Sequence, residues 1–415
     1  MACTPAESAR ARVLSKGAFH AHQRFDADTV NRGAVLWECE WDGGVFEAGV
    51  MLGGIFRAGV FRGGVAWAVY WKGGEWTSGL WHHGFSPDGL YRPRGAFPGS
   101  AVLEASAPES PIDEGAIPRA TVFAASVFGD VPRLWLACLG RALPPGEARF
   151  EIFDDSAEGS LDGGLLPGVA VLRRSPARPD FQVAYGDVLR RTATPFLAFV
   201  DTDVFWLSAD VWPRVLHAFS DPRVAGVSCV SRAATESPGT FAVVMRTAVY
   251  RDVVRSVPGA FTPYVEGEAG GDAPGRWRGD DTADRVARAV KEAGFEVPLL
   301  HLEGTGAFAR FDAITMTRLL GGWVGEETLL EMAVTNAYFR RGALGALALA
   351  RVHDALFADG PRFGVPLSAA RLWGRLLRHP RTLAAAVREA AEIRRAAGLL
   401  RRFLSRPQGA ASTSA

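Results

Sequence analysis

The sequence predicts an α/β protein in which a mostly parallel sheet domain follows a small β-solenoid-like repeat domain and is followed in turn by C-terminal helices. Three observations predict it. A five-residue aromatic and glycine period runs from Trp41 to Phe85, apolar strands alternate with amphipathic helices from Ala120 onward, and apolar positions spaced by three and four dominate after about residue 325. The 415 residues exceed what one hydrophobic core holds, and 48% hydrophobic against 22% charged residues is the balance of a folded chain. The expected divisions are an N-terminal segment (1–36), the repeat (37–97), a linker (98–118), the sheet domain (119–325), a helical region (326–405) and a disordered tail (406–415).

In the repeat, every fifth position reads Trp41, Phe46, Met51, Phe56, Phe61, Ala66, Trp71, Trp76, Trp81. A glycine follows three positions later at Gly44, Gly49, Gly54, Gly59, Gly64, Gly74, Gly79 and Gly84, and is replaced by Val69 once. A period of five fits neither the 3.6 of a helix nor the 2 of a strand. It suits a narrow solenoid whose short rungs turn at glycine and stack one aromatic on the next. Aromatic rings also stack on sugars, but one ring in nearly every unit is what an apolar ladder requires, and the ladder is the preferred reading. A bulge or corner is expected at Val69. The next segment, SAPESPIDEGAIP, is small, polar and Pro-rich, hence the linker.

Beyond the linker the expected strands are 120–128, 149–153, 169–172, 196–200 and 224–230, with helices at 132–143, 181–192 and 209–219. Such alternation with short connections implies a parallel sheet with helices on both faces.

Forty-six basic against 45 acidic residues give no reason to expect a nucleic-acid partner. Residues 361–415 nonetheless hold eleven arginines against Glu389 and Glu392. Leu383, Val387, Ala390, Ile393, Ala397, Leu400 and Leu404 trace one face of a basic amphipathic helix there. That helix suits either peripheral contact with the anionic inner face of a membrane or packing on its own domain with the arginines in solvent. The four cysteines (Cys3, Cys39, Cys138, Cys229) are scattered with no C-x-x-C pair, so neither disulfides nor structural zinc is expected. No apolar run reaches membrane-spanning length, and the expectation is a cytoplasmic protein, with peripheral attachment at the inner membrane face as an option.

The chemistry is expected at Phe196-Leu-Ala-Phe-Val-Asp201-Thr-Asp203, an apolar strand running directly into two acids one residue apart. Ligands of open α/β sheets bind at the carboxyl ends of the strands. Two carboxylates there are placed to share a divalent ion, manganese or magnesium, that bridges nucleotide phosphates. P-loop, G-x-S-x-G and H-E-x-x-H motifs are all lacking.

Residues 171–230 around this D-x-D, together with Phe150-Glu-Ile-Phe-Asp154-Asp155-Ser156, resemble the GT-A (Rossmann-like) glycosyltransferases, in particular the large bacterial polysaccharide and O-antigen transferase family. The similarity covers roughly residues 119–310. It implies a nucleotide-diphosphate-sugar donor, with Asp154 or Asp155 at the base or ribose, Asp201 at the ribose or metal, and Asp203 at the metal. Gly279-Asp280-Asp281 resembles the family's acidic pair that opens a helix, which makes Asp281 the favoured base for an acceptor hydroxyl. Glu327, in Gly325-Glu326-Glu327-Thr328-Leu329, is the second candidate; that helix is expected to end near Arg340-Arg341-Gly342, with His353 beyond. His301 falls where some relatives place a metal or phosphate ligand. The expected acceptor is a saccharide, lipid-linked or peptide group. The family has a tighter Gly-Ser turn where this chain reads DDSAEGS, and the alternative function is a non-catalytic scaffold or glycan-binding protein with a degenerate transferase-like domain.

Overall fold

The computed structural model describes residues 12–87, 91–92, 118–155, 169–173, 181–229, 242–257, 260–261, 264–268, 277–280, 282–300, 302 and 305–407. The expected linker, apart from Pro118, and the tail beyond Pro407 lie outside them. The chain forms two compact units. One holds the repeat, the antiparallel strand pair Tyr264–Glu268 and Trp277–Asp280, and Leu320–Met332; the other holds the sheet and the remaining helices.

The repeat is built from parallel strands whose partners lie fifteen residues apart. Val30 pairs with Val45, Val45 with Val60 and Val60 with Glu75, and on the next side Glu40 pairs with Ile55 and Ile55 with Tyr70. One coil therefore contains three pentads, and the pentad is one side of a coil where the sequence pattern was read as a whole rung. The aromatics follow this offset. Phe46 stacks on Phe61 (centroids 4.5 Å apart), Phe61 on Trp76 (4.3 Å) and Phe56 on Trp71 (4.2 Å), all within 11° of parallel. Rings five residues apart meet edge to face, as Phe56 and Phe61 do at 6.0 Å. Both arrangements suit the ring quadrupole, and Trp41, Phe46, Phe56 and Phe61 are fully buried.

The glycines answer to the coil below. Gly64 has φ +94°, and a Cβ there would lie 2.3 Å from the Gly49 carbonyl oxygen. At the interrupted pentad Ala68 takes the left-handed conformation instead (φ 52°), and the pairing of Val65–Trp71 with Leu80–Phe85 slips between Trp81 and His83. The bulge falls where glycine is missing.

In the sheet unit the elements are β1 (Ala120–Ser126), α1 (Asp130–Ala142), β2 (Ala148–Asp154), β3 (Val169–Arg173), α2 (Phe181–Arg191), β4 (Phe196–Val200), β5 (Val204–Trp206), α3 (Val211–Ala218), β6 (Gly226–Ser228), β7 (Ala242–Arg246), α4 (Thr247–Val254), α5 (Asp284–Glu292) and β8 (Phe308–Arg310). The helices α6 (Ile314–Thr335), α7 (Ala337–Leu356), α8 (Ala369–Leu376) and α9 (Pro380–Ser405) follow. The fold is mixed α/β, with the sheet order β3-β2-β1-β4-β7-β6. Strands β3, β2, β1 and β4 are parallel, while β7 runs antiparallel between β4 and β6. Alternate residues point to opposite faces. Phe123, Phe153, Leu197, Phe199, Val243 and Met245 pack on one face with Tyr185 and Val188 of α2, Tyr250 of α4 and Val286 of α5.

The apolar stripe of α9 is buried at Ala390, Ile393, Ala397, Leu400 and Leu404, with Val387 exposed. α9 packs against α7, where Arg340 donates to both carboxylate oxygens of Glu389 (2.7 and 2.9 Å). Of the two roles expected for this helix, packing on its own domain is the one its apolar face fills. Among the described residues no helix is long and apolar enough to cross a membrane.

A second bidentate pair fixes α1 to α6. Arg318 donates to both oxygens of Asp130 (2.7 Å each), Gly364 N–H donates to the same carboxylate (2.9 Å), and the guanidinium lies 3.9 Å above the Phe128 ring. The pair is nearly solvent-free, so removing one partner strands a buried charge. Arg318→Ala is expected to lower stability to urea by about 3–5 kcal/mol. Arg318→Lys should recover little, because an ammonium cannot reproduce the fork or the ring contact. A loss under about 1 kcal/mol would contradict this.

Candidate functional site

The chain passes from β1 to β2 and β3 on one side of the sheet and then to β4 on the other side of β1. This reversal makes the carboxyl ends of β1 and β4 a topological switch point, the place where open α/β sheets bind ligands. Asp201 directly follows β4, Asp154 ends β2, and the Asp155 N–H donates to the Ser126 carbonyl at the end of β1 (2.8 Å). Asp154, Asp155, Asp201 and Asp203 thus lie along one sheet edge. Their exposures differ. Asp154 and Asp155 are completely enclosed, whereas Asp201 and Asp203 are partly exposed.

The turn after β4 is defined by backbone hydrogen bonds. Val204 N–H donates to the Asp201 carbonyl (2.9 Å), and Phe311 N–H donates to the Asp203 carbonyl (3.1 Å), which starts the antiparallel β5–β8 ladder. The hydroxyl of Tyr185, a buried residue of α2, donates to Asp201 Oδ1 (3.4 Å), with the ring held edge-on against Phe199. β8 carries Arg310 opposite Val204 and ends just before Asp312; Arg310 Nε and Asp312 Oδ1 are 2.7 Å apart. Burial pushes the Asp203 carboxyl up to about 7, opposed by the Arg310 guanidinium and reinforced by the Asp312 carboxylate.

Among the other candidates, Asp281 and His301 lie outside the described residues. The helix after Asp281 does form, with Asp284 in the first turn of α5. Glu327 is exposed on α6 just after a break at Gly325 (φ 77°, ψ 167°), in the segment grouped with the repeat unit. The helix expected to end near Arg340–Gly342 ends at Thr335. Asn336 then caps α7 by accepting from Tyr338 N–H (2.8 Å). Gly342 is interior to α7, where a Cβ would lie 2.1 Å from Thr317 Oγ1, so it serves close helix packing. His353 is wholly buried in α7 against Phe357 and Phe363, with Nδ1 3.1 Å from Asp354 Oδ1.

Sequence reasoning missed Tyr185, Arg310 and Asp312. A tyrosine on the apolar face of the helix preceding the D-x-D strand was a usable signal. For Arg310 and Asp312 there was none, because the β5–β8 pairing joins segments about a hundred residues apart.

Among the described residues no group of three or more His, Cys, Asp or Glu side chains forms a metal cage. A pair of carboxylates such as Asp201 and Asp203 suits a hard cation that takes its remaining oxygens from water and a ligand's phosphates, as Mg²⁺ characteristically does.

No protein-family model matches the chain, and no curated protein sequence matches it. Solved structures with a similar path are nucleotide-sugar glycosyltransferases and nucleotidyltransferases at low identity. A mannosyltransferase from Pyrobaculum calidifontis, in complex with GDP-Man and Mn²⁺, is 15% identical, with 73% of this chain and 92% of that chain covered and a TM-score of 0.32. The 2-C-methyl-D-erythritol 4-phosphate cytidylyltransferase of Thermus thermophilus is 16% identical over 45% of this chain and 90% of that one (TM-score 0.27). Glucosyl-3-phosphoglycerate synthase of Mycobacterium tuberculosis is 12% identical, over 32% of this chain and 58% of the other (TM-score 0.28).

Proposed function

We propose that the chain is a metal-assisted glycosyltransferase that moves a sugar from a nucleotide-diphosphate donor to a saccharide, lipid-linked or peptide acceptor hydroxyl. The observation that carries the proposal is the position of Asp201 and Asp203, two partly exposed acids just after the strand that borders the topological switch point. These two residues would hold Mn²⁺ or Mg²⁺, which when bound neutralises charge on the departing nucleoside diphosphate. Tyr185 orients Asp201 by its hydrogen bond, and Arg310 adds a fixed positive charge beside Asp203. Asp154 and Asp155 line the same edge as supports for base or ribose. In an inverting transfer the acceptor proton passes to a carboxylate, with Asp281 the first choice and Glu327 the second. The buried apolar face of α9 restricts any membrane contact to its arginines.

The experiment is donor turnover with UDP-glucose and GDP-mannose in Mn²⁺, on the wild type and on Asp201→Asn and Asp203→Asn. Release of nucleoside diphosphate that falls at least a hundredfold in both variants, the loss expected when preorganised charge is removed, supports the proposal. Turnover unchanged in both would exclude it. No turnover with any donor, alongside partner or glycan binding that survives Asp203→Asn, would favour the scaffold.

A further inference from the structure

We propose a second ligand site at the other end of the β5–β8 ladder from Asp203: a cleft that binds a phosphate group carrying an apolar substituent. Asp203 stands at one end of that ladder, next to the Val204–Arg310 pair. The cleft begins past the Trp206–Phe308 pair, about 10 Å of strand away. It has a volume of about 370 Å³ and lies between the start of α3, the turn at Thr305–Ala307 and the last turns of α9.

Three guanidinium side chains line it, Arg214, Arg402 and Arg406, against one carboxylate, Asp210. None of the three arginines has an ion-pair partner among the described residues, in contrast to Arg310, Arg318, Arg340 and Arg341, which all do. Asp210 is itself engaged locally: the Ser208 hydroxyl donates to its Oδ2 (3.3 Å), and its own N–H donates to Ser208 Oγ (3.1 Å). Uncompensated like charges in one concavity raise the potential there and favour a dianion, and the planar fork of arginine matches phosphate oxygens.

The remaining lining is apolar. Leu207, Leu302, Leu399 and Phe403 give a wall that a bare phosphate would not use. The volume falls in the range of small-molecule pockets, ~300–1,000 Å³.

The walls are braced before any ligand arrives. Arg141 Nη1 donates to the carbonyls of Phe403 (3.1 Å) and Arg406 (2.7 Å), which fixes the end of α9 from which Arg402 and Arg406 project. Opposite, Thr305 Oγ1 donates to the Leu302 carbonyl (2.6 Å) and accepts from Ala307 N–H (3.2 Å), while Leu207 N–H donates to the Ala307 carbonyl (2.8 Å). The cleft uses none of the carboxylates assigned to the donor, so the two sites stand or fall separately.

The test is calorimetric titration of the full chain with octyl phosphate below its micelle concentration and with inorganic phosphate. It compares the wild type, the R214Q/R402Q double variant, and R395Q as an α9 control outside the cleft. Octyl phosphate should bind at least tenfold more tightly than inorganic phosphate, lose at least tenfold in the double variant and be unaffected in R395Q. Absence of octyl phosphate binding, or equal affinity in wild type and double variant, overturns the site; equal affinity for the two phosphates overturns its apolar half. Cosedimentation with phosphatidylcholine vesicles containing phosphatidic acid separates the sources. Pelleting that requires Arg214 and Arg402 identifies a lipid headgroup, while octyl phosphate binding without pelleting identifies a soluble phosphate ester.

Discussion

Asp203→Asn is expected to make the protein more stable above pH 7 while abolishing donor turnover. In the folded chain the carboxyl is pushed up to about 7, chiefly by burial; in the unfolded chain it titrates near 4. Between these values the unfolded state releases its proton while the folded state keeps it, so stability falls as pH rises and the loss is complete above about 7. Asparagine removes that cost. Asp203 is only half-buried and Arg310 offsets part of the penalty, so the gain after allowing for solvent screening is about 1 kcal/mol. For a chain of this size that is roughly 1–2 °C at pH 8, shrinking to nothing near pH 4. Thermal unfolding of both proteins across that pH range checks it. A variant less stable than the wild type at pH 8 would show that Asp203 supports the fold and is not strained in favour of function.

Gly64→Ala is expected to cost about 4 kcal/mol or more, in the class of backbone effects that unfold marginal domains. Two penalties combine. The positive φ costs about 1–2 kcal/mol for any residue with a Cβ, and the Cβ would lie 2.3 Å from the Gly49 carbonyl oxygen, so the coil has to open at that hydrogen-bonded column. Gly17→Ala is the control. It shares the positive φ (+89°), but its Cβ would meet only Thr328 Oγ1 at 3.7 Å, so the conformational cost alone remains. Six of the twelve tryptophans lie between Trp37 and Trp81, so the repeat contributes to the tryptophan emission followed during urea unfolding, and far-UV circular dichroism is recorded alongside it. Equal midpoints for the two variants would contradict the carbonyl contact as the reason for glycine.

Local periodicity was legible and long-range pairing was not. β4 occupies 196–200 as its apolar run predicts, and the aromatic pentads are visible as a ladder. That three pentads close one coil was hidden, because the fifteen-residue offset is set by hydrogen bonds between strands such as Val45 and Val60 and leaves the five-residue pattern unchanged. β7 escaped notice for a related reason: an antiparallel strand inserted between β4 and β6 looks, in sequence, like any short apolar run. The stripe on α9 announced an amphipathic helix but not its partner. Only the Arg340–Glu389 pair and the burial of Ile393 and Leu400 show that α7, in place of a lipid surface, covers it. The place of Asp201 and Asp203 just after β4 was readable from strand and acids together. Tyr185, Arg310 and Asp312, which set their electrostatics, come from separate elements that meet only in the fold.

The sheet edge beside Asp201 and Asp203 is expected to bind a nucleoside diphosphate together with a divalent cation. The experiment is calorimetric titration of the full chain with UDP, GDP, dTDP and CMP, with and without Mn²⁺, and with Asp203→Ala in parallel. Manganese-dependent binding that is selective for one nucleotide and lost in the variant is the expected result. Binding of none of them, or binding unchanged by Asp203→Ala, would contradict it.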